Sequence, residues 1–414
     1  MEIGKYSWGV GDRFAHQAEA QLKALVLAKN AGIDIVPVWN KSNREHTFIH
    51  SEPASTRAAA DAAVKALDWK GQYFCDADHI NRNNVDRFMD ACDFFTIDVA
   101  DYIGKEATAD EMDAFVKANE KYIGHLTIPK IAKPFVITES ELRTIAKKFL
   151  FAVKEASAIY QHIAKVKGED RFVPEISMDE VNEAQSPVEM FFILSAIAQY
   201  KIPVQTIAPK FTGRFNKGVD YAGDSKQFAL EFEEDLLVID YAIKEFGLPG
   251  NLKLSIHSGS DKFSIYPVMG NLIKKYDKGI HVKTAGTTWV EEVIGLAEAG
   301  GDGLKIAKKI YAEACKHRDE VIPPYATVID IDFSKIPKPE DVDRWDGKKF
   351  AGSLRHIQTN PDYNPDFRQL IHVAFKMAAD LGAVYTDALE KHAGLIGKQV
   401  TENLWERHIK LLFC

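Results

Sequence analysis

IDIVPVW at Ile33–Trp39 runs directly into NKSNREH at Asn40–His46, and no glycine stands at the junction. A short β-branched run followed by a helix-forming segment is a βα unit. In an open dinucleotide-binding sheet this first junction carries G-x-G-x-x-G, so that the backbone can approach a pyrophosphate. Here it reads as a polar loop. Seven further runs of the same kind follow: Gln72–Asp76, Phe94–Val99, Phe172–Ile176, Val204–Ala208, Leu252–His257, Ile280–Thr284 and Thr327–Ile331. Helical periodicity separates them at Thr56–Asp68, Val85–Ala91, Pro187–Gln199, Ser225–Glu245, Trp289–Glu298 and Leu304–His317, and an opening helix over Phe14–Ala31 precedes the first run. Eight runs with intervening helices predict an α/β fold, a (β/α)8 TIM-type barrel, with an open eight-stranded sheet as the alternative.

The connection from Ala100 to Arg171 is too long for a simple crossover and predicts a helical insertion over about 100–171, with helices at Ala109–Lys121 and Glu139–Lys167 and a turn around Ile128–Pro134. A C-terminal extension over about 352–414 is helical across Pro365–Phe413, with a break expected near Gly394–Gly397. The whole chain, 1–414, reads as one barrel domain.

The 414 residues are 46% hydrophobic and 27% charged, which excludes disordered and disulfide-rich classes. A net charge of −8 lacks the basic face that nucleic acid requires. No apolar stretch is long enough to cross a membrane. MEIGKYSWGVGDRF has no apolar core typical of a signal peptide, and Cys75, Cys92, Cys315 and Cys414 form no C-x-x-C pair. The expectation is a cytoplasmic protein acting on a small molecule, of oligomeric state that the sequence does not specify.

In barrels the active site forms at the C-terminal ends of the strands. Those ends hold Lys41 and Arg44, then Asp76-Ala77-Asp78-His79, Asp98 and Asp101, Glu175 with Asp179 and Glu180, Lys210 and Arg214, His257 through Lys262, and His281 with Lys283. Titratable groups gathered at one end of apolar strands are costly unless they meet water, a metal or each other. His79, His257 and His281 could converge on a divalent transition metal such as Zn, Mn, Ni or Fe, the alternative being hydrogen-bonded core histidines. His46, His356 and His372 read as surface or loop residues. Asp78 and Glu175 are placed for general acid/base work. Lys210 and Lys283 could form a Schiff base or grip an anion as point charges. Lys41, Arg44, Arg214 and Lys262 are further candidates for binding a carboxylate or phosphate. Gly286-Thr287-Thr288 could present backbone N–H groups to an anion.

At these segments the chain resembles the tagaturonate/fructuronate epimerase family, metal-dependent enzymes of hexuronate catabolism. The resemblance is carried by GVGDRF (9–14), VWNKSNREH (38–46), DADHI (76–80), FFTIDVADYIG (94–104), PEISMDE (174–180), APKFTGRF (208–215), IHSGSDKFSIYP (256–267), HVKTAGTT (281–288) and YNPDFRQLIHVAFK (363–376). It implies a barrel, a bound divalent metal and interconversion of two ketohexuronates differing at one carbinol carbon. It further implies a metal-adjacent base at Asp78 with His79, ligand roles for His257 and His281, and an acid role for Glu175. Members of the family start well upstream of the motif matched by GVGDRF, so a relative acting on another sugar acid or ketose is a second expectation. Inversion at C4 of a 2-ketose lies beyond simple enolisation; it calls for retro-aldol cleavage of C3–C4 or for proton exchange at C4, both aided by a Lewis acid. A metal- or Schiff-base-dependent barrel aldolase or lyase, and a non-catalytic sugar-acid binding protein, are the alternatives.

Overall fold

The computed structural model describes residues 1–258, 261–284 and 286–414. Eight parallel strands close a barrel: β1 (Tyr6–Gly11), β2 (Ile35–Ser42), β3 (Phe74–Ile80), β4 (Phe94–Asp98), then, past a hairpin of β5 (Gly124–Leu126) and β6 (Phe135–Ile137), β7 (Val173–Ser177), β8 (Thr206–Ala208), β9 (Lys253–His257) and β10 (Ile280–Thr284). β10 pairs with β1, Tyr6 opposite Ile280 and Gly9 opposite Lys283.

Seven of the eight expected runs are barrel strands; Thr327–Ile331 is not a strand, and the eighth is Tyr6–Gly11. YSWGVG carries two glycines, which weaken its β signal, yet Gly9 is required by packing. A Cβ there would lie 2.8 Å from both Asn40 Nδ2 and Lys283 Cγ, two side chains that share the barrel interior. Strands also run further than expected. β2 continues to Ser42 and β3 to Ile80, the two strands paired in register from Val38 opposite Phe74 to Ser42 opposite Asp78. Asn40–His46 is consequently no loop: Ser42 caps the helix α2 (Asn43–Phe48), its hydroxyl accepting from Glu45 N while the Glu45 carboxylate accepts from Ser42 N.

Around the barrel lie α1 (Ala18–Asn30), α3 (Pro53–Ala66), α6 (Pro187–Gln199), α7 (Ser225–Phe246), α8 (Tyr266–Tyr276) and α9 (Thr287–Ala299), which is followed by α10 (Gly301–Lys316); α1 thus follows a strand instead of opening the fold. The 29-residue α5 (Glu139–Lys167) and α4 (Ala109–Asn119) build the insertion between β4 and β7. α6 is buried along most of its length, as PVEMFFILSAIAQ leads one to expect. The C-terminal helices Pro365–Val373, Ala383–Lys391 and Ala393–Glu402 pack on α9 and α10 around Trp289, Tyr311, Phe367 and Tyr385. The break expected near Gly394–Gly397 falls at His392, between the last two of these helices, and a helix runs through both glycines. No described helix is long and apolar enough to cross a membrane.

Inside the barrel, Ile3, Val36, Val38, Phe74, Phe94 and Val173 form a separate apolar floor. One layer above, the inward positions turn polar. That step, from apolar floor to polar mouth, positions the site.

Candidate metal and sugar site

β3 supplies three polar groups in four residues. Strand alternation turns Asp76 and Asp78 inward, with Cys75 and Ala77 against the helices. The register then slips between Ala77 and Ile80, and His79 adopts φ 53°, a left-handed conformation rare outside glycine. Such a bulge re-aims one side chain, so His79 joins Asp78 at the mouth.

Lys283 of β10 stands at the centre of the polar layer, its Nζ 2.7 Å from Asp76 Oδ2, 2.9 Å from Glu175 Oε1 and 3.0 Å from Asp78 Oδ1, and in contact with Thr96 Oγ1. Thr96 in turn lies 2.9 Å from Asp76 Oδ1 and 3.0 Å from Glu175 Oε1. Burial would lower the ammonium pKa, but Asp76, Glu175 and Asp78 hold it well above its usual range. Burial opposes ionisation of Asp78 and Glu175, yet Lys283 with His79 for the first, and Lys283 with His257 for the second, keep both well below the carboxylate range. Asp76 is pushed up to about 7 by burial, against the pull of Lys283.

Above this layer His79 and His257 face each other, ring centroids 5.1 Å apart. His79 Nε2 is 3.4 Å and His257 Nδ1 3.0 Å from the same oxygen, Asp179 Oδ1. The other nitrogens are backed by carboxylates: His79 Nδ1 is 2.9 Å from Asp78, and His257 Nε2 is 2.9 Å from Glu175. One ligand atom from each of His79, Asp179 and His257 lies within 4.8 Å of the others, the grouping of metal-ligand type found among the described residues. Two imidazoles and a carboxylate suit Zn, Mn, Ni or Fe. Carboxylates on the far imidazole nitrogens are the outer support that metal-bound histidines typically have. Burial would lower both imidazole pKa values, but Asp78 and Asp179 hold His79 well above its usual range, and Asp179 foremost lifts His257 to about 9.

A cavity of about 560 Å³ opens onto this group, lined by Asp78, His79, Asp98, Asp179, His257 and Lys283 among others. Asp76 and Glu175 lie beneath it. Asp98, at the end of β4, is pushed up to about 6 by burial against a weaker pull from His79.

Of the expected site residues, Asp78, His79, Glu175, His257 and Lys283 come together. Arg44, Lys210 and Arg214 line the same cavity. His281 does not reach the triad. It sits level with Ser7 and Ser255, its Nδ1 2.8 Å from Ser7 Oγ, and burial drops its pKa to about 3. Lys41 lies on the other face of β2 from Asn40, buried among Asp12, Glu45 and Glu292. Lys262 is fully buried and donates to the carbonyls of Asn216 and Val219. His46, His356 and His372 are buried, not surface residues. Gly259, Ser260 and Ala285 of the two glycine-containing motifs lie outside the described residues. Thr96 escaped the sequence reading, although it alternates in phase with Phe94 and Asp98, and Asp179 displaces His281 from the donor set.

A model of the UxaE tagaturonate epimerase family matches residues 1–409. A tagaturonate/fructuronate epimerase from Thermotoga maritima is 28% identical over 429 aligned residues, covering 98% of this chain and 80% of its own length. A glycerol-complexed crystal structure of fructuronate-tagaturonate epimerase UxaE from Cohnella laeviribosi superposes with a TM-score of 0.82 at 22% identity, covering all of this chain and 82% of that one. The native crystal structure of the same enzyme gives 0.79 at 21% identity over the same shares. At this identity the two crystal structures speak for the fold.

Proposed function

The chain belongs to the tagaturonate epimerase family, and from this premise we propose that it interconverts tagaturonate and fructuronate by inverting C4 at the mouth of its barrel. The observation that carries the reading is the His79–Asp179–His257 triad, opening onto the cavity with a carboxylate behind each imidazole. These three residues would hold a divalent cation, drawn from Zn, Mn, Ni and Fe. When bound, the cation supplies Lewis-acid stabilisation of the oxyanion charge that develops as the C3–C4 bond breaks.

The chain's own groups divide the remaining work. Asp78, the base expected from the sequence, is engaged by Lys283 and His79 and fixes the orientation of His79. Glu175, the expected acid, lies beneath the cavity and holds His257 in the same manner. We assign the proton transfer to Asp98, which lines the cavity beside His79 and ionises near neutrality. Its carboxylate takes the C4 hydroxyl proton as C3–C4 breaks. The bond's electron pair passes to the C2–C3 enediolate, and C4 becomes an aldehyde. After the aldehyde turns over, the bond re-forms on its other face and Asp98 returns the proton to the C4 oxygen. Lys283 compensates the negative charge of the layer below.

A Schiff base at Lys283 would need a neutral amine, whereas three carboxylates hold this one as a cation. Borohydride treatment with substrate should leave no adduct on it. The decisive experiment incubates D-fructuronate with the full chain and each of the four metals and follows the carbon NMR spectrum. Tagaturonate should appear until the two sugars equilibrate, and chelation should abolish the exchange. Cleavage to smaller fragments, or binding without turnover, would reject the reading.

A further inference from the structure

Most acids of the cavity cluster around the triad, at the ends of β3, β4 and β7; Glu45 of α2 also lines it but is paired with Arg13 at 3.1 Å. Two of its cations come from elsewhere. Arg44 stands on α2, Lys217 lies in the loop after β8, and both line the cavity. Arg44 Cζ is 5.1 Å, and Lys217 Nζ 5.7 Å, from the ring centroid of Tyr325, itself buried and cavity-lining. Tyr325 belongs to the connection that follows α10, the stretch from which the sequence led one to expect a strand. That connection is tied to both cation-bearing elements: Arg44 Nη1 donates to Pro324 O at 2.9 Å, and Lys217 N donates to Val328 O at 2.7 Å.

Each cation gains from the π face of the ring, but two like charges on one ring repel. Little opposes that repulsion. Among the described residues Arg44 has one carboxylate within ion-pair distance, Glu180 at 3.9 Å, and Lys217 has none. Two other cations of the cavity are already neutralised, Arg214 by Asp330 at 2.7 Å and Lys283 by its three carboxylates.

We propose that Arg44, Tyr325 and Lys217 form the receptor for the substrate's terminal carboxylate, and so set the preference for a ketohexuronate over a ketohexose. The inference rests on the epimerase reading above and adds to it the residues that read the acid end. A six-carbon ketose acid is polar at both ends. Its hydroxyketone end suits the triad, and its carboxylate needs a fixed positive site within the same cavity. Arginine offers a planar fork to the two oxygens and lysine a point charge, with the ring holding both side chains in place.

The test compares, by calorimetry on the full chain saturated with Mn2+, the dissociation constants of D-fructuronate and of D-fructose, which carries a hydroxymethyl group in place of the carboxylate. The wild type should prefer the uronate. Arg44→Gln and Lys217→Gln should each cut that preference roughly 10- to 100-fold, the loss expected for one charge-assisted contact. Lys226→Gln, at an exposed position on α7 outside the cavity, should leave the preference in place, and Lys210→Gln is measured beside it. A wild type without preference, variants that weaken both sugars equally, or a preference carried by Lys210 alone would overturn the proposal. Failure of the epimerase reading is seen separately, as a wild type that prefers the uronate yet inverts nothing.

Discussion

Asp98 and Asp78 both face the cavity, and their surroundings drive them apart. Burial raises Asp98 to about 6, whereas Lys283 and His79 overcome burial at Asp78 and keep it ionised. A base must be deprotonated to act, so kcat/KM for the uronate should climb with pH through about 6 and then level. Asp98→Asn should remove that limb and lower turnover by about 10²- to 10⁴-fold while metal content stays unchanged; a pH–rate profile with metal analysis reads both, and an intact limb in the variant would exclude the assignment. Much of this neighbourhood was legible in advance. DADH, PEISMDE and the HVKT lysine are polar residues at the ends of apolar runs, where barrels concentrate chemistry. The rank order among them was not legible. His281 and Lys283 share the inward phase of β10, and only depth along the barrel separates them. Depth is fixed by the stagger between neighbouring strands, which no single strand's pattern records. Asp179 was underrated for a related reason, since it stands past the end of β7 and reaches the triad through a loop.

The elements themselves were easier to read where their signal is local. α5 and α6 begin and end where the sequence places them, with Thr138 and Ser186 as caps accepting from Glu141 N and Glu189 N. β1 was missed because Gly9 serves the interior of the barrel and not the strand's own propensity. TVIDI was mistaken for a strand because its β-branched alternation is real, while the sheet had already closed between β1 and β10. α7 carries one element-level anomaly. Asp235 is buried in its apolar face, Oδ1 without a hydrogen-bond partner among the described residues, and burial together with Glu231 and Glu234 raises its pKa well above the carboxylate range. As pH rises past about 4, the unfolded chain releases this proton before the folded one does, so Asp235 costs stability increasingly toward neutral pH. Asp235→Asn, which cannot ionise, should therefore stabilise the protein by about 1–3 kcal/mol at pH 8 and by much less at pH 4. Urea midpoints at the two pH values test this, and an equal shift at both would count against it.

At the scale of the molecule, one buried carboxylate adds an ionic tie between the C-terminal helices and the barrel to their apolar packing. Asp261, four residues past the end of β9, is fully buried, Oδ2 2.7 Å from Arg368 Nη2 and 3.0 Å from His356 Nδ1, Oδ1 3.2 Å from His408 Nε2. Burial opposes its charge, but Arg368 and the two histidines hold it well below the carboxylate range. A depressed pKa contributes stability above the unfolded value and loses it as pH falls toward the folded one. Asp261→Asn leaves Arg368 buried without its counter-charge and should cost about 3–5 kcal/mol at pH 7, with the gap to wild type narrowing below about pH 4. Denaturant titrations at both pH values would show it, and a gap independent of pH would rule the charge out as the cause. The barrel seam adds a consequence in time. β1 has β2 beside it early, but its other edge pairs with β10, and the ring of Tyr6 rests 4.8 Å from that of Phe413. At ~5–20 residues per second, a ribosome leaves that edge bare for tens of seconds, exposed to other nascent chains, and the substrate's chamber takes shape only once β10 has closed on β1 and the connection carrying Tyr325 has emerged.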